Sequence, residues 1–229
     1  MRLRDVEVRF QRRRSLFRRA EAGFPALRGI SMDLRHGEKL GIIGRNGAGK
    51  STLLRVLAGV LQPDSGTVER NHGVCRLLAL GSGFMPQLTG RENAVLSGLI
   101  LGMGRSEVVS KLEHIKAFSE LGDFFEQPVR AYSSGMRSRL GFSVAIQQQP
   151  DVLLIDETLA VGDTGFKDKS LSAMRERIAA DATVVVVSHS EGLLSEFCRR
   201  TLWMDRGQVA VIDKTDAALA EYRRAVRTS

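Results

Sequence analysis

The stretch GRNGAGKST, Gly44 to Thr52, constrains this chain more than any other. It fits the spacing G-x-x-x-x-G-K-[ST]. The short apolar run KLGIIG precedes it, and the helically spaced STLLRVLAGVL overlaps its end and continues from it. A buried strand ending in glycine and reopening as a helix makes the intervening loop a phosphate cradle. Gly44, Gly47 and Gly49 permit a tight turn in which they, with Arg45, Asn46 and Ala48, bring backbone N–H groups around phosphate oxygens. Lys50 reaches the β- and γ-phosphates, and the Ser51 hydroxyl suits Mg²⁺. Thr52 adds a hydroxyl or N–H near the α-phosphate. A chance glycine-rich turn is the alternative, and the flanking strand and helix argue against it. The implied ligand is a nucleoside triphosphate.

The rest of the chain reads as α/β with a helical insertion. VEVRF (Val6 to Phe10) and ISMDL (Ile30 to Leu34) alternate with period two, as half-buried antiparallel strands do, with an arginine-rich loop between them. PDSG breaks the first helix at Pro63 to Gly66, and short strands are expected at Gly66 to Glu69 and Val74 to Leu80. From about Arg91 helical patterns dominate. DVLLID (Asp151 to Asp156) and TVVVVSH (Thr183 to His189) then return as near-continuous apolar runs, the pattern of strands covered on both faces. The helix between them completes a βαβ unit. TLWMDRGQVAVI reads as a hairpin and DAALAEYRRAVR as a closing amphipathic helix. The expected division is a nucleotide-binding core at 1–83 and 150–229 and a helical subdomain at about 84–149, all one domain.

Strand ends deliver the remaining chemistry. Ligands of open parallel sheets lie beyond the carboxyl ends of the strands. Asp156 suits Mg²⁺ coordination, largely through water, and Glu157 can polarise an attacking water. An Asp-Glu pair after a strand is ordinarily a loop start; beside a phosphate loop it reads as catalytic. His189 ends another buried strand, where an imidazole can hydrogen-bond a γ-phosphate. His36, His72 and His114 have no comparable placement.

Composition narrows the class. The chain has 229 residues, 43% hydrophobic and 26% charged, and only 6% aromatic, so its core is aliphatic. The 2 cysteines, Cys75 and Cys198, lack metal-ligand spacing and read as free thiols in a reducing compartment. No stretch approaches the roughly 20 apolar residues of a membrane span, and no signal-peptide apolar region follows the arginine-rich start. The formal charge of +8 is partly concentrated in Arg9 to Gly23. A solvated loop is the plainer account of that run, and an arm meeting anionic lipid or an acidic partner the functional one. Nucleic-acid binding would want a wider basic face with stacking aromatics, so none is expected.

AYSSGMRSRLGFSVA, Ala131 to Ala145, holds no base or metal cluster, yet Ser133, Ser134 and Gly135 run straight into a helix. Such a helix start presents N–H groups and a positive dipole end to an anion. With this stretch the chain resembles the nucleotide-binding subunit of ATP-binding-cassette transporters over nearly its whole length. Gly44–Thr52 matches Walker A, Val152–Asp156 with Glu157 matches Walker B, Ser133–Met136 the signature, and His189 the switch histidine. LAVGD (Leu159 to Asp163) matches the D-loop, closing on Asp163. The resemblance implies a P-loop ATPase core of mixed parallel sheet with an antiparallel β subdomain and an inserted helical subdomain. It implies ATP with Mg²⁺ and an adenine stacked on Phe10, with Phe17 or Phe24 as substitutes. It also implies a homodimer in which the signature of one subunit, through Ser133, Ser134 and Gly135, closes on ATP held by the other. A separate transmembrane permease is the further partner, at the cytoplasmic face of the bacterial inner membrane, where this subunit is peripheral.

YSSGM, in place of Leu-Ser-Gly-Gly-Gln, looks like the polysaccharide-exporter branch, as do LTGREN (Leu88 to Asn93), SELGDFF (Ser119 to Phe125) and DETLAVGD. The short capsular-polysaccharide export subunits are the nearest resemblance. Related O-antigen and teichoic-acid exporters often carry an added C-terminal domain, for which a chain ending at Ser229 leaves no room. One departure stands out: the family's loop glutamine would fall near Ala79 to Gly81, which offers no such side chain, and Gln87 is the nearest amide. The rival readings are a soluble cassette ATPase acting on nucleic acid or ribosomes through Arg12 to Arg19, and a P-loop switch or kinase. The first lacks a tandem cassette or coiled-coil insertion here, and the second lacks an acceptor lid.

Overall fold

The computed structural model describes residues 1–10, 23–71, 73–78, 83–156, 164–179 and 182–227. They form an α/β fold whose contacts separate into two compact units: Met1–Leu77, Asp151–Glu157 and Asp181–Ser229 in one, Leu78–Pro150 and Thr158–Ala180 in the other.

The first unit carries two sheets. Strands β1 (Arg2–Phe10), β2 (Phe24–Asp33) and, further along, β4 (Ser65–Glu69) build an antiparallel sheet in the order β2-β1-β4. Both predicted strands of this sheet run longer than their alternating cores. β1 is bent by register shifts on either side of Val6, and Asp5 adopts a left-handed φ of 47. The second sheet has six strands: β5 (Cys75–Leu77), β6 (Val152–Ile155), β7 (Thr183–Val187), β3 (Lys39–Ile43), β8 (Arg200–Asp205) and β9 (Gln208–Lys214), in that spatial order. All pairs are parallel except β8–β9. Every residue of β6 and β7 is buried, as their unbroken apolar runs require. β5 is shorter than the Val74 to Leu80 expected; Leu78 lies beyond it and 79–80 fall outside the described residues. Helix α1 (Lys50–Leu57) follows β3, and Leu53, Leu54, Val56 and Leu57 bury its apolar face in the core with Leu40, Ile42, Val185 and Leu202. At roughly 1.5–3 kcal/mol per fully buried aliphatic side chain, that face anchors the loop before it.

The second unit is helical: α2 (Gly90–Ile100), α3 (Arg105–Ser110), α4 (Leu112–Ser119), α5 (Ser134–Ala145) and α6 (Thr164–Ala179). α6 groups here, although the sequence reading assigns everything after 150 to the core. The reason is aromatic packing: Phe166 is buried, edge-on to Phe118 at 5.8 Å and to Phe142 at 6.0 Å. Glu120 strengthens the junction, accepting from Lys169 at 2.7 Å and Arg139 at 3.2 Å. Helix α7 (Glu191–Phe197) and helix α8 (Thr215–Arg227) complete the first unit. Among the described residues no helix is long and apolar enough to cross a membrane.

Candidate nucleotide site

The phosphate loop takes its shape from what surrounds it. Gly44 is pressed against the Met204 carbonyl, and a Cβ at Gly49 would stand 2.6 Å from the Ala26 carbonyl oxygen, so neither position admits a side chain. Gly49 precedes α1 with a left-handed φ of 100; no side chain caps the helix and no acid occupies its first turn. An uncapped helix start gathers unpaired N–H groups and the positive end of the dipole at one point. Lys50 is only 7% exposed, and its ammonium donates to the carbonyls of Gly44 at 2.7 Å and Arg45 at 3.1 Å. The lysine is therefore folded over the loop that a phosphate would enter.

The sheet register aligns the other groups. β3 lies between β7 and β8, with the loop at its carboxyl end. Val187 pairs with Ile42, and the Ser188 N–H donates to the Ile42 carbonyl at 3.3 Å, which carries exposed His189 out at the same edge. Ile155 pairs with Val186, so half-buried Asp156 leaves the sheet there too. Glu157 and Asp163 lie outside the described residues, as do Phe17, Arg12 to Arg19 and Ala79 to Gly81. Gln87 is exposed in the turn before α2.

A cavity of about 260 Å³ is lined by Asn46 to Thr52 together with Ala26, Phe10 and Phe24. Phe10 and Phe24 are direct cross-strand partners of the β1–β2 pair. They remain 43% and 63% exposed, an uncommon state for two adjacent large rings and one that suits a flat ligand. Ser51, exposed at the same cavity, and Asp156 are oxygen donors that fit a hard cation. Among the described residues no three His, Cys, Asp or Glu gather into a metal cluster, so such a cation would draw its other ligands from phosphate and water.

The signature segment is built differently from an open anion site. Ser133 is the N-cap of α5, its hydroxyl accepting from the Met136 N–H at 3.1 Å. The serine thus completes the turn, and the exposed Ser134 and half-buried Gly135 stand at the helix start. Tyr132 is buried; its hydroxyl donates to the Phe124 carbonyl at 2.5 Å and covers Gly90, and burial pushes the phenol up to about 12. Beside Ser133, Gly135 and Met136 lies a hollow of about 230 Å³ that also touches Glu120 and Arg139.

LTGREN proves to be a structural device. Thr89 caps α2 and exchanges hydrogen bonds with Glu92, a capping box. Fully buried Asn93 accepts from the Met85 N–H at 2.7 Å and donates to the carbonyls of Met85, Leu88 and Thr89. Arg-Gly between two strands signals the β8–β9 hairpin but not its contact with the phosphate loop, where the Gly207 N–H donates to the Ala48 carbonyl at 3.0 Å.

Cassette fold, phosphate loop and helical unit together define the class, and a family model described as ABC transporter matches residues 27–160. The chain belongs to the ABC transporter family. Within that family it is similar to the O-antigen export system ATP-binding protein RfbB of Myxococcus xanthus, at 48% identity over 88% of this chain and 46% of that protein. It is also similar to the teichoic acids export ATP-binding protein TagH of Lactococcus lactis, at 42% identity over 90% of this chain and 44% of that protein. The chain thus spans about half the length of these relatives. A bacterial ABC transporter cassette solved as a dimer, MJ0796, shares the fold with a TM-score of 0.71 at 21% identity, over 93% of this chain and 98% of that one.

Proposed function

We propose that this chain is the ATP-hydrolysing subunit of an exporter of cell-surface polysaccharide, of capsular or O-antigen type, working as a homodimer with a separate transmembrane permease. It would be peripheral at the cytoplasmic face of the inner membrane. The observation that carries the nucleotide reading is the loop itself: an uncapped helix start, two glycines against backbone carbonyls, and Lys50 folded over the entry. The 48% identity to an O-antigen export protein supports the cargo class. The proposed domain is the whole chain, with the signature carried by the helical unit to which α6 also belongs.

In this reading the purine stacks on Phe10, with Phe24 beside it. Lys50 exchanges its carbonyl partners for β- and γ-phosphate oxygens, and N–H groups of 44–52 hold the rest of the triphosphate. Ser51 and Asp156 hold Mg²⁺, which when bound neutralises charge developing on the phosphate oxygens. Glu157 accepts a proton as water attacks the γ-phosphorus; the bond to the bridging oxygen breaks and ADP leaves. His189 donates to a γ-phosphate oxygen, and Asp163 lies in the loop between the subunits. The partner subunit's α5 start, with Ser133, Ser134 and Gly135, covers the exposed face and excludes water. Binding energy becomes closure, and hydrolysis reopens the pair.

Two measurements test it. Glu157→Gln should form ATP-dependent dimers that release no phosphate; undiminished hydrolysis would overturn the assignment. Cells lacking the chain should lose surface polysaccharide, with recovery from the wild-type gene and none from Lys50→Ala. Normal surface polysaccharide in the deletion would overturn the cargo.

A further inference from the structure

We propose that the β8–β9 turn, Arg206–Gly207, is a positioning element that sets the phosphate loop against the strand carrying Phe24 and Ala26. The inference deepens the nucleotide-site reading and rests on it. Three backbone segments meet at this turn. The Gly207 N–H donates to the Ala48 carbonyl at 3.0 Å, and the Gly207 carbonyl accepts from the Arg28 N–H at 2.8 Å. One peptide residue therefore bridges the loop to β2. Met204, just before the turn, presses its carbonyl on Gly44 and holds its methyl 3.2 Å from where a Gly49 Cβ would stand.

The spacing leaves the turn no freedom to move alone. Arg206 and Gly207 have φ of 44 and 82, the left-handed pair of a tight hairpin. A Cβ on Gly207 would meet the Ala26 carbonyl oxygen at 2.8 Å and its carbon at 3.2 Å. Both are backbone atoms of a strand paired along its length with β1, so the turn must yield instead. Yielding carries the Gly207 N–H away from Ala48 and releases the loop from the aromatic end of the cavity. Arg206 and Asp205 also border a second cavity of about 330 Å³, with Arg45 to Ala48, Trp203 and Tyr222, so the turn and the loop face the same space.

The test compares Gly207→Ala with Gly37→Ala. Gly37 has a φ of 69 but nothing within 4 Å of a Cβ, so it shares the backbone strain without the contact. Both variants should lose thermal stability. Only Gly207→Ala should weaken binding of a fluorescent ATP analogue, by about tenfold, as misplacement of a binding loop does. Its KM for ATP should rise more than its kcat falls. Equal affinity for Gly207→Ala and wild type, or equal loss in both variants, overturns the proposal. No binding by the wild type would overturn the nucleotide-site reading, and the positioning role with it. Should Gly207→Ala fail to fold, Met204→Leu displaces the methyl beside Gly49 without touching the turn's backbone. Weakened binding in it supports the role, and unchanged binding overturns it.

Discussion

Phe10 stands directly opposite Phe24 across the β1–β2 pair, and both rings border the cavity whose other wall is the phosphate loop. Cross-strand aromatic partners normally cover one another or a core. Here they line a cavity that also opens on Lys50, Ser51 and Thr52. Phe10 and Phe24 are thus candidates for the base among the described residues, and Phe17 lies outside them.

Removing either ring should weaken ATP binding, because base–aromatic stacking contributes roughly 1–3 kcal/mol. Phe10→Ala and Phe24→Ala should each raise the Kd for ATP while leaving the weaker binding of inorganic triphosphate unchanged. Isothermal titration with both ligands checks this. Parallel losses for ATP and triphosphate would show that the rings act on the loop and not on the base.

Lys50 should be essential for turnover. Lys50→Ala removes the cation that contacts the Gly44 and Arg45 carbonyls and, with nucleotide present, the charge facing the phosphates. Phosphate release should fall by about 100-fold or more, the scale on which a charge-stabilising donor acts. A coupled phosphate assay on the purified protein measures it.

Asn93 should matter for stability and not for nucleotide. Its amide is fully buried and binds three carbonyls and one N–H of the 85–89 turn. Asn93→Ala leaves those groups without their partner, at about 1–3 kcal/mol for a buried unsatisfied group. Urea denaturation should show the loss, and fluorescent-nucleotide affinity should stay at the wild-type value.

The two thiols should resist alkylation in the folded protein. Burial pushes Cys75 up to about 11 and Cys198 up to about 12 from an ordinary 9.0. Folded values above the unfolded one mean the native state holds protons that the unfolded chain releases. Their stabilising contribution is therefore complete below about pH 9 and is lost as pH rises through 11 to 12. Iodoacetamide at pH 8 should modify both slowly until denaturant is added, and Tm should fall from pH 9 upward.

Much of this was legible because local rules sufficed. The unbroken apolar runs of β6 and β7 can only be strands covered on both faces, and glycine spacing before a helix announces a phosphate loop. Arg-Gly between alternating strands announced a hairpin, which formed. Other relations lie at the level where sequence is silent. α6 joins the helical unit through Phe166, a lone aromatic whose partners Phe118 and Phe142 lie far along the chain. LTGREN looked like a family marker, and its threonine, glutamate and asparagine are a helix cap and a loop clasp.

By itself the sequence determined the chemistry offered: a phosphate loop, carboxylates and a histidine at strand ends, and a serine–glycine helix start. These are short-range patterns, in which backbone geometry follows from neighbouring residues. Tertiary structure alone decided that Phe10 and Phe24 border the loop and that Gly207 clasps Ala48. Those relations join residues 14 and 159 positions apart. They depend on strand pairing and close backbone approach, which no local propensity encodes, whereas the Ser133 cap spans 3 residues and follows a local pattern.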